Sequence, residues 1–485
     1  MIWLKIAGHG PDYCYCNDQT DGNAARRAPP GTGSGIRQVI HGDIGVSQHR
    51  RLATGFHLGV STSSFQIEGA AQEDGRGPSI WDTYCHDGAV RNHDTGDVAC
   101  DHYHRYREDV ALMKALGVQA YRFSVAWPRV LPQGRGTANE AGLAFYDRLI
   151  DELLAAGIAP WLCLYHWDLP QALEDAGGWL NRESVTWFAD YTRLVAARYG
   201  DRVKRFATFN EPSIFSLFSR SLGTAGRSRE DDLHRMIHHV NLAHGAAVDV
   251  LRNTVSDVSV GCIHNYQPCL PSSSSEADAA AAARLNTYWN NAFPDPQCLG
   301  EYPAAMRPAL APHIQPGDLA RIRRPLDWFG LNHYSPVYVT AKPDAMLGYD
   351  FGDKPSGIAL TPIGWPIDPA AFGETLRTVH RRYGLPIYVL ENGYGDALQP
   401  DQAGAVVDSG RIAFLRAYVE AMNAAAADGV DIRGYFIWSL LDNLEWDSGY
   451  SIRFGLVYVD YASLRRVPKA SFDWYAGLIK AVHQR

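Results

Sequence analysis

From Phe56 onward, short runs of aliphatic, β-branched and aromatic residues alternate with longer stretches whose apolar positions recur at intervals of three and four. The short runs lie at 56–63, 120–127, 159–167, 205–210, 258–265, 326–334, 386–391 and 432–438. Helical periodicity follows them, for example over 109–116, 140–156, 183–199, 232–251 and 411–427. Strand and helix in strict alternation are the signature of βα units. Eight such units, with no linker-like break after residue 51, predict one closed (β/α)8 TIM barrel with long βα loops, spanning 52–485.

The first 51 residues differ. They hold no sustained hydrophobic period, and Pro29-Pro30-Gly31-Thr32-Gly33-Ser34-Gly35 has the composition of a flexible linker. They are read as a disordered N-terminal extension; a start codon assigned too far upstream accounts for them equally well. Further along, Ser273-x-x-Glu276 precedes an alanine-rich run and predicts a capping box opening a helix.

A net charge of -8 and a pI near 6.1, with Lys and Arg dispersed, argue against nucleic acid or an anionic membrane as partner. A neutral small molecule fits better. No stretch approaches the roughly 18 apolar residues of a membrane span, and Met1 to Ala7 is interrupted by Lys5, so a soluble, cytoplasmic protein is expected. The eight cysteines show no paired spacing and are read as reduced packing residues. Cys14 and Cys16 have no partner cluster, so no metal is expected.

Two glutamates carry the chemical signal. Glu211, in Thr208-Phe209-Asn210-Glu211-Pro212, and Glu391, in Tyr388-Val389-Leu390-Glu391-Asn392-Gly393, each close a strand-like run just before a residue that turns the chain. Barrels of this class assemble their active sites at the C-terminal ends of strands. Two carboxyls there suit glycoside hydrolysis, one protonating the leaving oxygen and the other attacking carbon or activating water. Either tripeptide alone is weak, because Asn-Gly also marks ordinary turns. Their company strengthens the reading: Gln66, Arg122, His166-Trp167-Asp168, Asn332, Tyr334, Trp438 and Glu445-Trp446 fall at other strand ends. Polar forks and indoles together are what a sugar site needs. Taken singly, His166 reads as a core histidine, Arg122 as an ion-pair partner and the tryptophans as packing. Trp81, Trp179 and Trp187 stay assigned to the core.

Ser64-Phe65-Gln66-Ile67-Glu68-Gly69-Ala70, Gly77-Pro78-Ser79-Ile80-Trp81-Asp82, Tyr121-Arg122-Phe123-Ser124, His166-Trp167-Asp168-Leu169-Pro170, both glutamate motifs and 438–446 together resemble the glycoside hydrolase family 1 β-glucosidases. The likeness runs in family order from about Phe56 to Tyr475. It implies a retaining β-glucosidase with Glu391 as nucleophile and Glu211 as acid/base. Arg122 and Tyr334 would hold Glu391, and Asn210 would meet the sugar 2-hydroxyl. Gln66, His166, Asn332, Glu445 and Trp446 would bind the remaining glycone, over Trp438 as floor. The implied partner is a β-glucoside or oligosaccharide, with β-galactosides or β-fucosides also accepted; no cofactor is implied, and a homo-oligomer is compatible.

The chain departs from the family pattern at Ser213-Ile214-Phe215 and from Ser219 to Gly226, which puts the aglycone side in doubt; Leu58, His333 and Leu444 replace usual aromatics and are expected to tune packing. Two rivals stand beside this reading. A 6-phospho-β-glucosidase is disfavoured by an acidic Glu445, which would repel phosphate, and a non-catalytic carbohydrate-binding barrel is disfavoured by the retention of both glutamates.

Overall fold

In the computed structural model, which describes residues 55–219 and 229–483, eight parallel strands close on themselves. They are β1 (His57–Ser61), β2 (Ala120–Ser124), β3 (Ala159–Tyr165), β4 (Arg205–Asn210), β5 (Ser259–Asn265), β6 (Trp328–Asn332), β7 (Ile387–Asn392) and β8 (Ile432–Trp438). Each pairs in parallel with its neighbours in sequence, and β8 returns to β1 through the register His57 to Gly434 and Ser61 to Trp438. The single barrel expected from the alternation is therefore present. The extension 1–51, with Cys14 and Cys16, and the 220–226 part of the aglycone departure lie outside the described residues.

Strands of such a barrel are covered on both faces, inside by their own side chains and outside by helices. Accordingly every residue of β2, β6 and β7 is buried, polar ones included. Trp161 fills the interior, its ring 4.8 Å from Tyr388, 5.3 Å from Phe436 and 5.5 Å from Trp328. Gly59 makes room for this packing: a Cβ there would stand 2.5 Å from the Phe436 ring and 2.7 Å from the Ala120 carbonyl.

The outer helices follow local rules. Pro369–Tyr383 starts where the Asp368 carboxylate accepts from Ala371 N–H at 2.9 Å, has proline in its first turn, and ends at Gly384 with φ +65°. The predicted helix at 109–116 begins earlier, as His102–Leu116. Its first turns break the apolar period because they bury His102 beside Tyr103 and Tyr106, where His102 Nδ1 meets Asp109 Oδ2 at 2.8 Å and Arg466 Nε donates to Asp109 Oδ1 at 2.9 Å. The capping box needs correction as well. Helix Glu276–Asn286 is capped by Ser275, which accepts from Asp278 N–H, while Ser273 Oγ donates to the Asp278 side chain. Asp278, not Glu276, is thus the partner, because it also accepts from Thr340 and from Ala341 N–H.

Loops on the C-terminal side carry extra structure, including a three-stranded sheet of Cys269–Pro271, Val337–Ala341 and Tyr349–Phe351. The six described cysteines are all free, and no helix among the described residues is long and apolar enough to cross a membrane.

Candidate active site

Glu211 follows β4 directly and sits in the left-handed region at φ +50°, an unusual conformation for glutamate. Pro212 then begins a short helix, Pro212–Leu217, so the chain turns sharply beneath the carboxyl. The register of β4 against β5 shifts between Ala207 and Asn210, and that of β7 against β6 shifts between Val389 and Glu391. Such irregularities re-aim side chains at barrel rims, and here one lies immediately before each glutamate.

The two carboxyls are buried and held differently. Glu391 Oε1 accepts from Arg122 Nη2 at 2.6 Å, and its Oε2 accepts from Tyr334 OH at 2.7 Å. Among the described residues, Glu211 Oε1 accepts only from a neutral amide, Asn332 Nδ2, at 2.8 Å. A guanidinium and a phenol favour the ionised form of their partner far more than one amide does. Burial, and then the charge of Glu391, hold the Glu211 carboxyl well above the usual range. Burial raises Glu391 too, but Arg122, Tyr334 and Asn332 oppose it. One proton shared by this pair therefore resides on Glu211.

Behind the pair lies an amide relay. Asn210 Oδ1 accepts from Arg122 Nη2 and, at 3.0 Å, from Asn332 Nδ2. Its Nδ2 must then donate to His166 Nε2, 3.1 Å away, which assigns the ring proton of His166 to Nδ1. Burial and the nearby Arg122 charge keep that imidazole neutral, well below its ordinary pKa. Gln66 is also spent on the scaffold: Ser63 Oγ donates to its Oε1 at 2.6 Å, and its Nε2 donates to Asn443 Oδ1 at 3.0 Å and Leu444 O at 2.8 Å. One Oε1 lone pair of Gln66 remains for a sugar hydroxyl.

A narrow cavity opens over these groups, lined by His166, Trp167, Glu211, Tyr334, Trp365, Glu391, Trp438, Glu445, Trp446 and Phe454. Of the residues singled out in the sequence, eight line it, Trp167 among them; Gln66, Arg122, Asp168, Asn210 and Asn332 are buried but do not line it. Trp438 lies against the His166 ring at 5.7 Å, and Trp446 packs on Trp167 at 4.6 Å and Trp81 at 4.5 Å. Burial and the charge of Glu391 push the Glu445 carboxyl up to about 8, and its Oε2 has no hydrogen-bond partner among the described residues. It is poised for a ligand's hydroxyl.

Trp365 and Phe454 were missed by the sequence reading. Both come from loops without hydrophobic period, and their only local signal is the turn chemistry around them, Gly364-Trp365-Pro366 and Phe454-Gly455. Trp179, assigned to the core, is buried against Tyr165 at 5.4 Å, and Leu58, His333 and Leu444 are buried away from the cavity.

A barrel mouth holding two buried carboxyls of unlike surroundings, with indoles and unpaired acceptors around them, defines a carbohydrate-processing hydrolase. The comparisons give its family. The model of "Glycosyl hydrolase family 1" matches residues 48–484. A "Beta-glucosidase" of Agrobacterium sp. is 44% identical over 440 residues, covering 88% of this chain and 95% of that protein. A "Bifunctional beta-D-glucosidase/beta-D-fucosidase" of Bifidobacterium breve is 42% identical over 453 residues, covering 88% and 97%. Among solved structures, the β-glucosidase from Thermotoga maritima in complex with glucoimidazole aligns with TM-score 0.84 and 41% identity, over 89% of this chain and 99% of that one. The chain belongs to glycosyl hydrolase family 1.

Proposed function

We propose that this chain is a retaining β-glucosidase that releases terminal β-D-glucosyl residues, with Glu391 as nucleophile and Glu211 as acid/base. The observation that carries the division of roles is the unequal holding of the two carboxyls: guanidinium and phenol on Glu391, one amide on Glu211. An ionised Glu391 attacks the anomeric carbon as the protonated Glu211 gives its proton to the departing glycosidic oxygen. Glu211, now a carboxylate, then takes a proton from the water that attacks the glycosyl-enzyme, and the second inversion restores the β configuration.

The glycone reading follows from the wall of the cavity. Trp438 and Trp446 offer faces for the apolar side of the ring, and Glu445 accepts or donates to paired hydroxyls. Gln66, Asn210 and Asn332 act in this reading chiefly by setting the positions of groups that touch sugar. The bifunctional relative from B. breve supports acceptance of β-fucosides, which lack the 6-hydroxyl, alongside glucosides; β-galactosides belong in the same trial. Proton NMR of the sugar first released from an aryl β-glucoside tests the mechanism: β-glucose must appear before mutarotation, and early α-glucose would refute double displacement.

A further inference from the structure

Asp168 ends the tripeptide that begins with His166, is fully buried, and does not line the cavity. Its Oδ2 accepts from Ser64 Oγ at 2.9 Å, and Ser64 Oγ in turn accepts from Ser124 Oγ at 3.0 Å. The Ser64 N–H donates back to Ser124 Oγ at 2.8 Å. Each hydroxyl has one proton, so the direction is set: Ser124 gives to Ser64, Ser64 gives to Asp168, and the carboxyl is the terminal acceptor. Every member of this relay stands two positions from a group of the site on its own segment. Ser64 precedes Gln66, Ser124 follows Arg122 on β2, and Asp168 follows His166 beyond β3. On β2 that spacing puts Ser124 and Arg122 on one face, while Ser64 and Gln66 share the one-turn helix Ser64–Ile67 and His166 and Asp168 share the segment just after β3.

We propose that Asp168 is a positioning residue for the glycosidase reaction: by terminating the serine relay it locks the ends of β1, β2 and β3, and with them Gln66, Arg122 and His166, into one register. The inference rests on the β-glucosidase reading. Asp168 acts through Arg122, whose guanidinium must meet Glu391 and Asn210 at once, and through His166, which receives the Asn210 amide. The ionic groups facing Asp168 are Glu68, which raises its pKa, and Arg76, which lowers it; burial is the largest cause and carries the carboxyl up to about 7. Asparagine is accordingly a close copy of its protonated form, keeping the oxygen that Ser64 needs.

The test uses the full chain and a dinitrophenyl β-glucoside, with Tm recorded for each variant. A displacement of about 1 Å at reacting groups costs on the order of 10²-fold, so Asp168→Ala and Ser64→Ala should each lose roughly that in kcat/KM, mostly in kcat. Asp168→Asn should stay within about threefold of wild type. The double variant Asp168→Ala/Ser64→Ala should be no slower than the worse single variant, since both remove the same bond. Single variants within threefold of wild type, losses that multiply in the double variant, or an Asp168→Asn no faster than Asp168→Ala would each overturn the proposal. Should Asp168→Ala fail to fold, Ser64→Ala and Asp168→Asn decide it by the same criteria. Wild-type turnover with indifferent variants sinks this inference alone, whereas an inactive wild type sinks the enzyme reading beneath it.

Discussion

Replacing Tyr334 by Phe removes one hydroxyl and little else, and its effect on pH dependence follows from the geometry. Tyr334 OH donates to Glu391 Oε2 at 2.7 Å, while Arg122 holds the other oxygen. A hydrogen bond to a charged group contributes about 1.5–3 kcal/mol. At 1.36 kcal/mol per pH unit, its loss should raise the Glu391 pKa by about one to two units. The nucleophile must be ionised, so activity is lost as pH falls through that pKa, and the acidic limb of kcat/KM should move up by the same amount. The basic limb should stay nearly still, because it reports loss of the Glu211 proton and the direct donor to Glu211 is Asn332. The assay is kcat/KM for p-nitrophenyl β-glucoside from pH 4 to pH 10 in about half-unit steps. An unmoved acidic limb, or a shift confined to the basic limb, would refute the assignment of Glu391 as the ionised partner.

Asn332→Ala should act on both limbs: without its 2.8 Å donor the Glu211 carboxylate is disfavoured and the basic limb moves to higher pH by roughly one unit or less, and because Asn332 also lowers the Glu391 pKa the acidic limb moves in the same direction. Glu445→Ala should weaken transition-state binding of glucoside by about 1.5–3 kcal/mol for each hydroxyl bond lost, read as kcat/KM; an unchanged value contradicts glycone recognition by Glu445. Glu445 also bears on stability. Its folded pKa, about 8, lies above the unfolded value, so the folded state loses stability as pH rises from about 4.5 to 8, where only the unfolded chain has ionised. Glu445→Gln should therefore show a smaller fall in Tm between pH 5 and pH 9 than wild type, even as it loses activity.

Much of the fold was legible because barrel strands are buried on both faces and appear as near-continuous apolar runs; 205–210 and 432–438 coincide with β4 and β8. Run ends were less legible at 120–127 and 159–167, where apolar residues continue past β2 and β3 into the site loops. Glu211 and Glu391 stood out as charges closing such runs. What local pattern could not convey is how a polar side chain divides its bonds. Gln66 reads as a sugar ligand, yet its amide hydrogens go to Asn443 and Leu444, nearly four hundred positions away (|i−j| of 377 and 378). Trp365 and Phe454 enter the cavity from loops held by distant contacts, Phe454 O accepting from Arg411 Nη1 at 2.8 Å. Such contacts leave no periodicity behind.

Azide rescue tests most directly which glutamate attacks and which transfers the proton. In Glu211→Ala, a dinitrophenyl β-glucoside should still form the glycosyl-enzyme, because its leaving group needs no proton, and the intermediate should then accumulate for want of a base. Azide, which needs no general base, should attack that intermediate and yield β-glucosyl azide. In Glu391→Gly no glycosyl-enzyme can form, and azide entering the space left by the carboxylate should give α-glucosyl azide by a single inversion. β-Glucosyl azide from Glu211→Ala with α-glucosyl azide from Glu391→Gly is the expected pairing; the reversed pairing would assign attack to Glu211 and proton transfer to Glu391.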